Sequence, residues 1–249
     1  MTRHHKSLAL VLRVFDYSET SQVVHLYARE LGKIHGIAKG SKRKKSAFRG
    51  PFDILSLVEI LRIEKDPGTL DLLTAGETLE DYPEIRRDWP RFSAASYIAD
   101  LLDEFTPEGV PQAELYEAAE SAFGALAKGA PLAECVFRFE ARLLDLLGHF
   151  PRVDTCGSCR KAITGSDVWF SVRDGGFHCA KCPPRDPLRL GVKRVVADGL
   201  AALRQGRPFN LKIYAKFASD LRRLLDFHIK YVFDREPKSA RFMRDAVLG

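Results

Sequence analysis

The chain has 249 residues, 45% hydrophobic and 29% charged, enough apolar material for two or three ordinary cores and incompatible with a disordered or fibrous protein. No run approaches the ~18 apolar residues of a membrane span, so a soluble protein is expected. The formal charge of +6 is uneven: Lys+Arg against Asp+Glu stands at 13 to 8 over residues 1–76, 6 to 15 over 77–150, 5 to 3 over 151–184 and 15 to 7 over 185–249. Two basic ends around an acidic middle point to a polyanion as partner for the ends.

The first twenty residues put basic side chains ahead of an apolar run, as a signal peptide does. Arg13 and Asp16 interrupt that run, and no small-residue cleavage site follows. The alternation of Leu8, Leu10, Leu12 and Val14 predicts a strand face instead. Further strands are predicted at Ser21–Ala28, Lys33–Ala38, Leu55–Ile63 and Leu70–Glu77, with turns at Asp16-Tyr17-Ser18, Glu30-Leu31-Gly32 and Asp66-Pro67-Gly68. Five short strands in about 70 residues suit a small closed barrel of the OB type, expected over residues 1–80.

The longest connection in that barrel, KGSKRKKSAFRGPFD, joins the third and fourth strands. Lys39, Lys42, Arg43, Lys44, Lys45 and Arg49 could neutralise phosphates there, against the alternative of a merely solvated loop. Phe48 could stack on a base or plug the barrel end.

After Tyr82-Pro83 the apolar period becomes helical. Helices are predicted over 89–105, 112–127 and 132–148, punctuated by Pro107, Pro111, Pro131 and Pro151. Cys135 falls on an apolar helix face and reads as a small buried hydrophobe. Asp100, Asp103 and Glu104 read as helix-surface charges.

CGSCRKAITGSDVWFSVRDGGFHCAKC follows, with two Cys-x-x-Cys pairs separated by 19 residues. Each pair aims two sulfurs at one point, and the interval lies in the window of zinc modules. Cys156, Cys159, Cys179 and Cys182 are therefore predicted to hold one structural Zn²⁺ in a ribbon over 153–184, with strand, tight turn and strand between the knuckles. Four thiolates close the coordination sphere, which disfavours catalytic zinc, and no His-x-Glu precedes the second pair as a zinc deaminase requires. His178 could ligate or cap the site, the commoner case being a surface histidine. With the cysteines assigned in this way no disulfide scaffold is left, and the cell interior is expected.

Pro183-Pro184-Arg185-Asp186-Pro187 forms a stiff link to helices predicted near 192–204 and 211–234. In the second, Ile213, Phe217, Leu221, Leu224, Leu225, His228 and Val232 form a buried stripe, leaving Lys212, Lys216, Arg222, Arg223 and Lys230 outside. Arg189, Lys193, Arg194, Arg222 and Arg223 are the candidates for extending a nucleic-acid path. The segments flanking the ribbon are expected to pack together, making it an insertion in a helical domain over 81–249. No P-loop, dinucleotide fingerprint, nucleophile elbow or two-metal carboxylate cluster occurs, which favours a binding protein over an enzyme.

The segments SLALVLRVFDYSETSQVVHLYARELGKIHGIAKGSKR and FRFEARLLDLLGHFPRVDTCGSCRK, together with the order barrel, helices and inserted ribbon, closely resemble the bacterial RecO family. The resemblance spans essentially the whole chain. It implies a cytoplasmic, nucleoid-associated DNA repair protein without enzymatic activity that binds single- and double-stranded DNA and anneals complementary strands. It further implies work with RecR to let RecA displace single-strand-binding protein. An RNA-binding or ribosome-associated barrel with a zinc ribbon, and a thiol redox switch, are the readings from other classes.

Overall fold

A strand rich in valine, leucine and isoleucine at a sheet edge leaves unpaired backbone beside apolar side chains, and closure into a barrel removes the edge. The computed structural model describes residues 4–66, 68–207 and 217–248. In it β1 (His4–Ser18), β2 (Ser21–Ala28), β3 (Gly32–Ala38), β4 (Leu57–Ile63) and β5 (Asp71–Glu80) form a closed barrel in the order β1-β2-β3-β5-β4. β1 closes it by serving two neighbours. Its first half pairs with β4 (His4–Leu10), its second with β2 (Ala9–Ser18), and a bulge between Val11 and Arg13 bends it between the two roles. Only β3 and β5 run parallel, Gly36–Ala38 beside Asp71–Leu73.

The bulge also breaks the single alternating face expected for Leu8, Leu10, Leu12 and Val14. Ala9 and Val11 point into the barrel core with Val24, Leu26, Ile34, Val58, Ile60 and Leu73, whereas Leu10 is equally buried but absent from that core. Leu10 and Leu12 are buried outside that core, whereas Val14, beyond the bulge, packs against it. β1 also runs through the turn expected at Asp16-Tyr17-Ser18, the reversal falling at Glu19-Thr20.

Two compact units divide the chain. The first holds the barrel, α1 (Pro83–Arg87), α2 (Trp89–Phe105), α3 (Ala113–Ala127) and residues 237–246. The Asp88 carboxylate caps α2 by accepting from Arg91 N–H, with Pro90 in the first turn. The second unit holds α4 (Leu132–Leu146), the ribbon, α5 (Arg194–Arg204) and α6 (Ala218–Phe233). There α4 packs on α5, so segments before and after the ribbon share a core. A last helix, α7 (Ala240–Leu248), was not anticipated.

The ribbon contains β6 (Asp167–Ser171), β7 (Gly176–Cys179) and β8 (Arg189–Lys193) in the order β7-β6-β8. β8 replaces the expected start of a helix at 192. Only Val192 of its five residues is buried, so its strand state comes from pairing with β6 rather than from its own composition. Pro67 and the expected helical start from 211, with Lys212, Ile213 and Lys216, lie outside the described residues. Among the described residues no helix is long and apolar enough to cross a membrane.

Candidate metal centre and candidate nucleic-acid interface

The knuckle Cys156-Gly157-Ser158-Cys159 begins where Cys156 N–H donates to Lys161 O at 2.9 Å, and Arg160 N–H donates back to Cys156 O at 3.0 Å. The second knuckle follows β7, and Cys182 N–H donates to Cys179 O at 2.9 Å. These turns bring Cys156, Cys159, Cys179 and Cys182 together, with the four Sγ atoms within 4.8 Å of one another. Cys156 is buried, while Cys159 lies at the surface. Burial raises the Cys156 thiol, but backbone N–H groups of Cys159, Cys179 and Ser158 outweigh it and bring the group down to about 6. Hydrogen bonding to Cys179, then burial, then the charge of Cys159 and Cys179 push Cys182 up to about 12. Such crowding of like-charged sulfurs is relieved by a divalent cation.

His178 is buried rather than on the surface, and it is not one of the clustered donors. Its Nδ1 lies 3.0 Å from Ser158 Oγ and its Nε2 3.0 Å from Asp174, so the ring braces the first knuckle against the hairpin turn. The ring occupies the space a side chain at 157 would need: a Cβ there would sit 2.5 Å from His178 Cε1. Gly157→Ala is therefore expected to lower zinc retention and melting temperature together, measured by metal analysis and thermal denaturation. A fully metallated, equally stable variant would show that the ring moves freely.

The loop between β3 and β4 is anchored at its base and open at its tip. Gln22 on β2 donates to Phe52 O at 3.0 Å, while its Oε1 accepts from Phe52 N–H at 3.0 Å and Ser41 Oγ at 2.9 Å. Gly40 N–H donates to Ser21 Oγ at 3.1 Å. Phe48 is buried against Phe52 with ring centroids 5.6 Å apart, which settles its role as a plug. Both rings reach inward because β5 has glycine at 76, where a Cβ would lie 2.5 Å from Phe52 Cζ.

Lys39, Arg43, Lys44 and Lys45 are exposed on this loop. Lys42 is half-buried and pairs with Asp16, and Arg49 pairs with Glu77. The outer face of β2 and β3, which OB barrels commonly offer to nucleic acid, carries α2 instead. Arg13 reaches Asp100 at 3.0 Å, Asp103 at 2.7 Å and Glu104 at 3.2 Å, so those carboxylates are packing partners of the barrel rather than free surface charges.

In the second unit the candidates separate. Arg189 is exposed on β8 with its guanidinium 5.2 Å above the Trp169 ring. Lys193 pairs with Asp167 at 2.6 Å, Arg194 with Asp198 at 3.3 Å, and Arg223 is exposed. Arg222 overturns its expected position on the solvent face. It is 1% exposed and makes two hydrogen bonds, at 2.9 and 2.6 Å, to Glu140, which is fully buried. A guanidinium committed to an interior carboxylate is unavailable to phosphate.

Profiles of two families match. "Recombination protein O N terminal" covers residues 1–82 and "Recombination protein O C terminal" covers residues 86–241. The DNA repair protein RecO of Rhodopirellula baltica is 36% identical over 200 residues, spanning 80% of this chain and 73% of that protein. The DNA repair protein RecO of Bacillus pumilus is 31% identical over 244 residues, 96% of this chain and 93% of its own length. That of Syntrophus aciditrophicus is 26% identical over 246 residues, with 96% and 95% covered. With both halves matched and the barrel, helices and cysteine cluster in the expected order, this chain belongs to the RecO family of DNA repair proteins.

Proposed function

We propose that this protein is a recombination mediator that binds single- and double-stranded DNA, anneals complementary strands and, with RecR, helps RecA load onto DNA coated by single-strand-binding protein. It acts by binding rather than by catalysis. The observation that carries this reading is a cationic loop tip held out from an anchored base on a barrel of a DNA repair family. Lys39, Arg43, Lys44 and Lys45 provide the primary phosphate contacts, and Arg189 and Arg223 provide further ones; Lys42, Arg49, Lys193 and Arg194 contribute only by exchanging a carboxylate partner for phosphate. Exposed pairs of that kind are worth about 0–1 kcal/mol, so the exchange is feasible.

The four cysteines would hold one Zn²⁺, which supplies a structural cross-link and no chemistry. Their convergence and the lowered Cys156 thiol support that assignment. The cysteines act by fixing the ribbon's shape.

Annealing of complementary strands already coated with single-strand-binding protein tests the function directly, and failure to accelerate it would overturn the reading. The loop is tested separately by reversing charge at Lys39, Arg43, Lys44 and Lys45 together. At about 0.7 per lost single-strand contact, the slope of log K against log salt should flatten by up to ~3. An unchanged slope would remove the loop from the site.

A further inference from the structure

His25 on β2 and His35 on β3 are directly opposed in the antiparallel ladder, so their rings leave the barrel on the same outer face. The ring centroids lie 3.9 Å apart with planes 30° from parallel. Asp103 descends onto them from α2. Its Oδ1 is 3.2 Å from His25 Nδ1 and 3.8 Å from His35 Nε2. Two imidazole nitrogens and a carboxylate oxygen thus meet within 4.8 Å of one another.

We propose that His25, His35 and Asp103 form a second divalent-cation site, suited to zinc(II) and separate from the cysteine centre. Donors at about 2.0–2.1 Å around a tetrahedral zinc stand roughly 3.3–3.4 Å from each other, so both measured separations need only small adjustments. The other oxygen of Asp103 forms an ion pair with the Arg13 guanidinium, Nε lying 2.7 Å away, which leaves Oδ1 toward the imidazoles as supporting groups do for a ligating carboxylate. The atom that would face the ion on His35, Nε2, is buried and makes no hydrogen bond. Metal ligation would satisfy it.

The surrounding charge also favours a dication. Asp100, Asp103 and Glu104 gather around Arg13, Glu108 lies 3.7 Å from His35 Nδ1, and Lys33 Nζ donates to Asp103 O at 2.5 Å. Four carboxylates thus face two cations. Imidazole and carboxylate donors together select a first-row ion such as zinc over magnesium or calcium. Because the ligands come from β2, β3 and α2, occupancy would tie the helix to the barrel.

The test uses the full chain with its ribbon already loaded, dialysed against zinc(II) and analysed for metal per chain. Wild type should rise from one equivalent to two, and His35→Gln and the double variant His25→Gln/His35→Gln should remain at one. In a Trp169→Phe background, the melting transition reported by Trp89 should rise with zinc when both histidines are present and not in the histidine variants. Zinc should also shift the His25 and His35 ring resonances of the unmutated protein, a readout that needs no variant to fold. The proposal is overturned if wild type remains at one equivalent into millimolar free zinc. It is equally overturned if the second equivalent persists in both variants; its loss on replacing His4 and His5 by alanine would then place the ion at the amino terminus instead.

Discussion

Glu140→Ala is expected to destabilise the second unit by about 3–5 kcal/mol, because it strands the Arg222 guanidinium without its carboxylate in a fully buried position. Asp226, 2.9 Å from Arg222 and only partly buried, compensates for part of the loss but cannot reproduce the paired geometry. Replacing both partners, as in Glu140→Met with Arg222→Leu, should recover most of that loss, since neither product needs a partner in the interior. The chain has two tryptophans, Trp89 in the first unit and Trp169 in the second, so chemical denaturation in a Trp89→Phe background reads the second unit alone. A cost below about 1 kcal/mol for Glu140→Ala would mean that water reaches the pair. The double variant should also keep the salt slope for DNA, and a flattened slope would return Arg222 to the binding surface.

Cys156→Ser is expected to abolish stable zinc retention and to lower the melting of the second unit more than any other single change considered. Zinc binding by small cysteine modules is worth on the order of 10–16 kcal/mol, and only part of that can be replaced by the ribbon's own packing. That packing includes Phe170 against Phe177 at 5.1 Å and against His228 at 5.5 Å, with His228 Nε2 held 2.8 Å from His149 O. Metal analysis, Trp169 fluorescence during heating and DNA titration on the same preparation check the claim. Zinc content and stability should fall while single-strand affinity persists. Lost affinity in a variant that retains its fold would contradict a purely structural role for the metal.

The cysteine centre was legible because a knuckle is a four-residue turn: Cys156 and Cys159 converge whatever surrounds them, and only the pairing with Cys179 and Cys182 needs the hairpin. The limits of α2 were legible for the same reason, with Asp88 and Pro90 opening the helix and Pro107 following its end. The barrel strands followed from two-residue alternation, within a few residues at each end. Phe48 was left open between plug and stacking platform because the choice depends on Gly76, a residue on a strand that is not its sequence neighbour.

What the sequence determined by itself was therefore short-ranged: strand and helix periods, turn chemistry, and a metal-ligand spacing tied to a family pattern. Tertiary structure alone decided that Arg222 lies inside, that Leu10 faces outward, that β8 is a strand and that His25 meets His35. Arg222 and β8 depend on partners distant in the chain, Glu140 being 82 residues from Arg222 and β6 more than fifteen from β8, while His25 and His35 meet through the register of one hairpin. Hydropathy assigns arginine to water because an unpaired charge is costly to bury, and only the fold supplies the carboxylate that removes that cost.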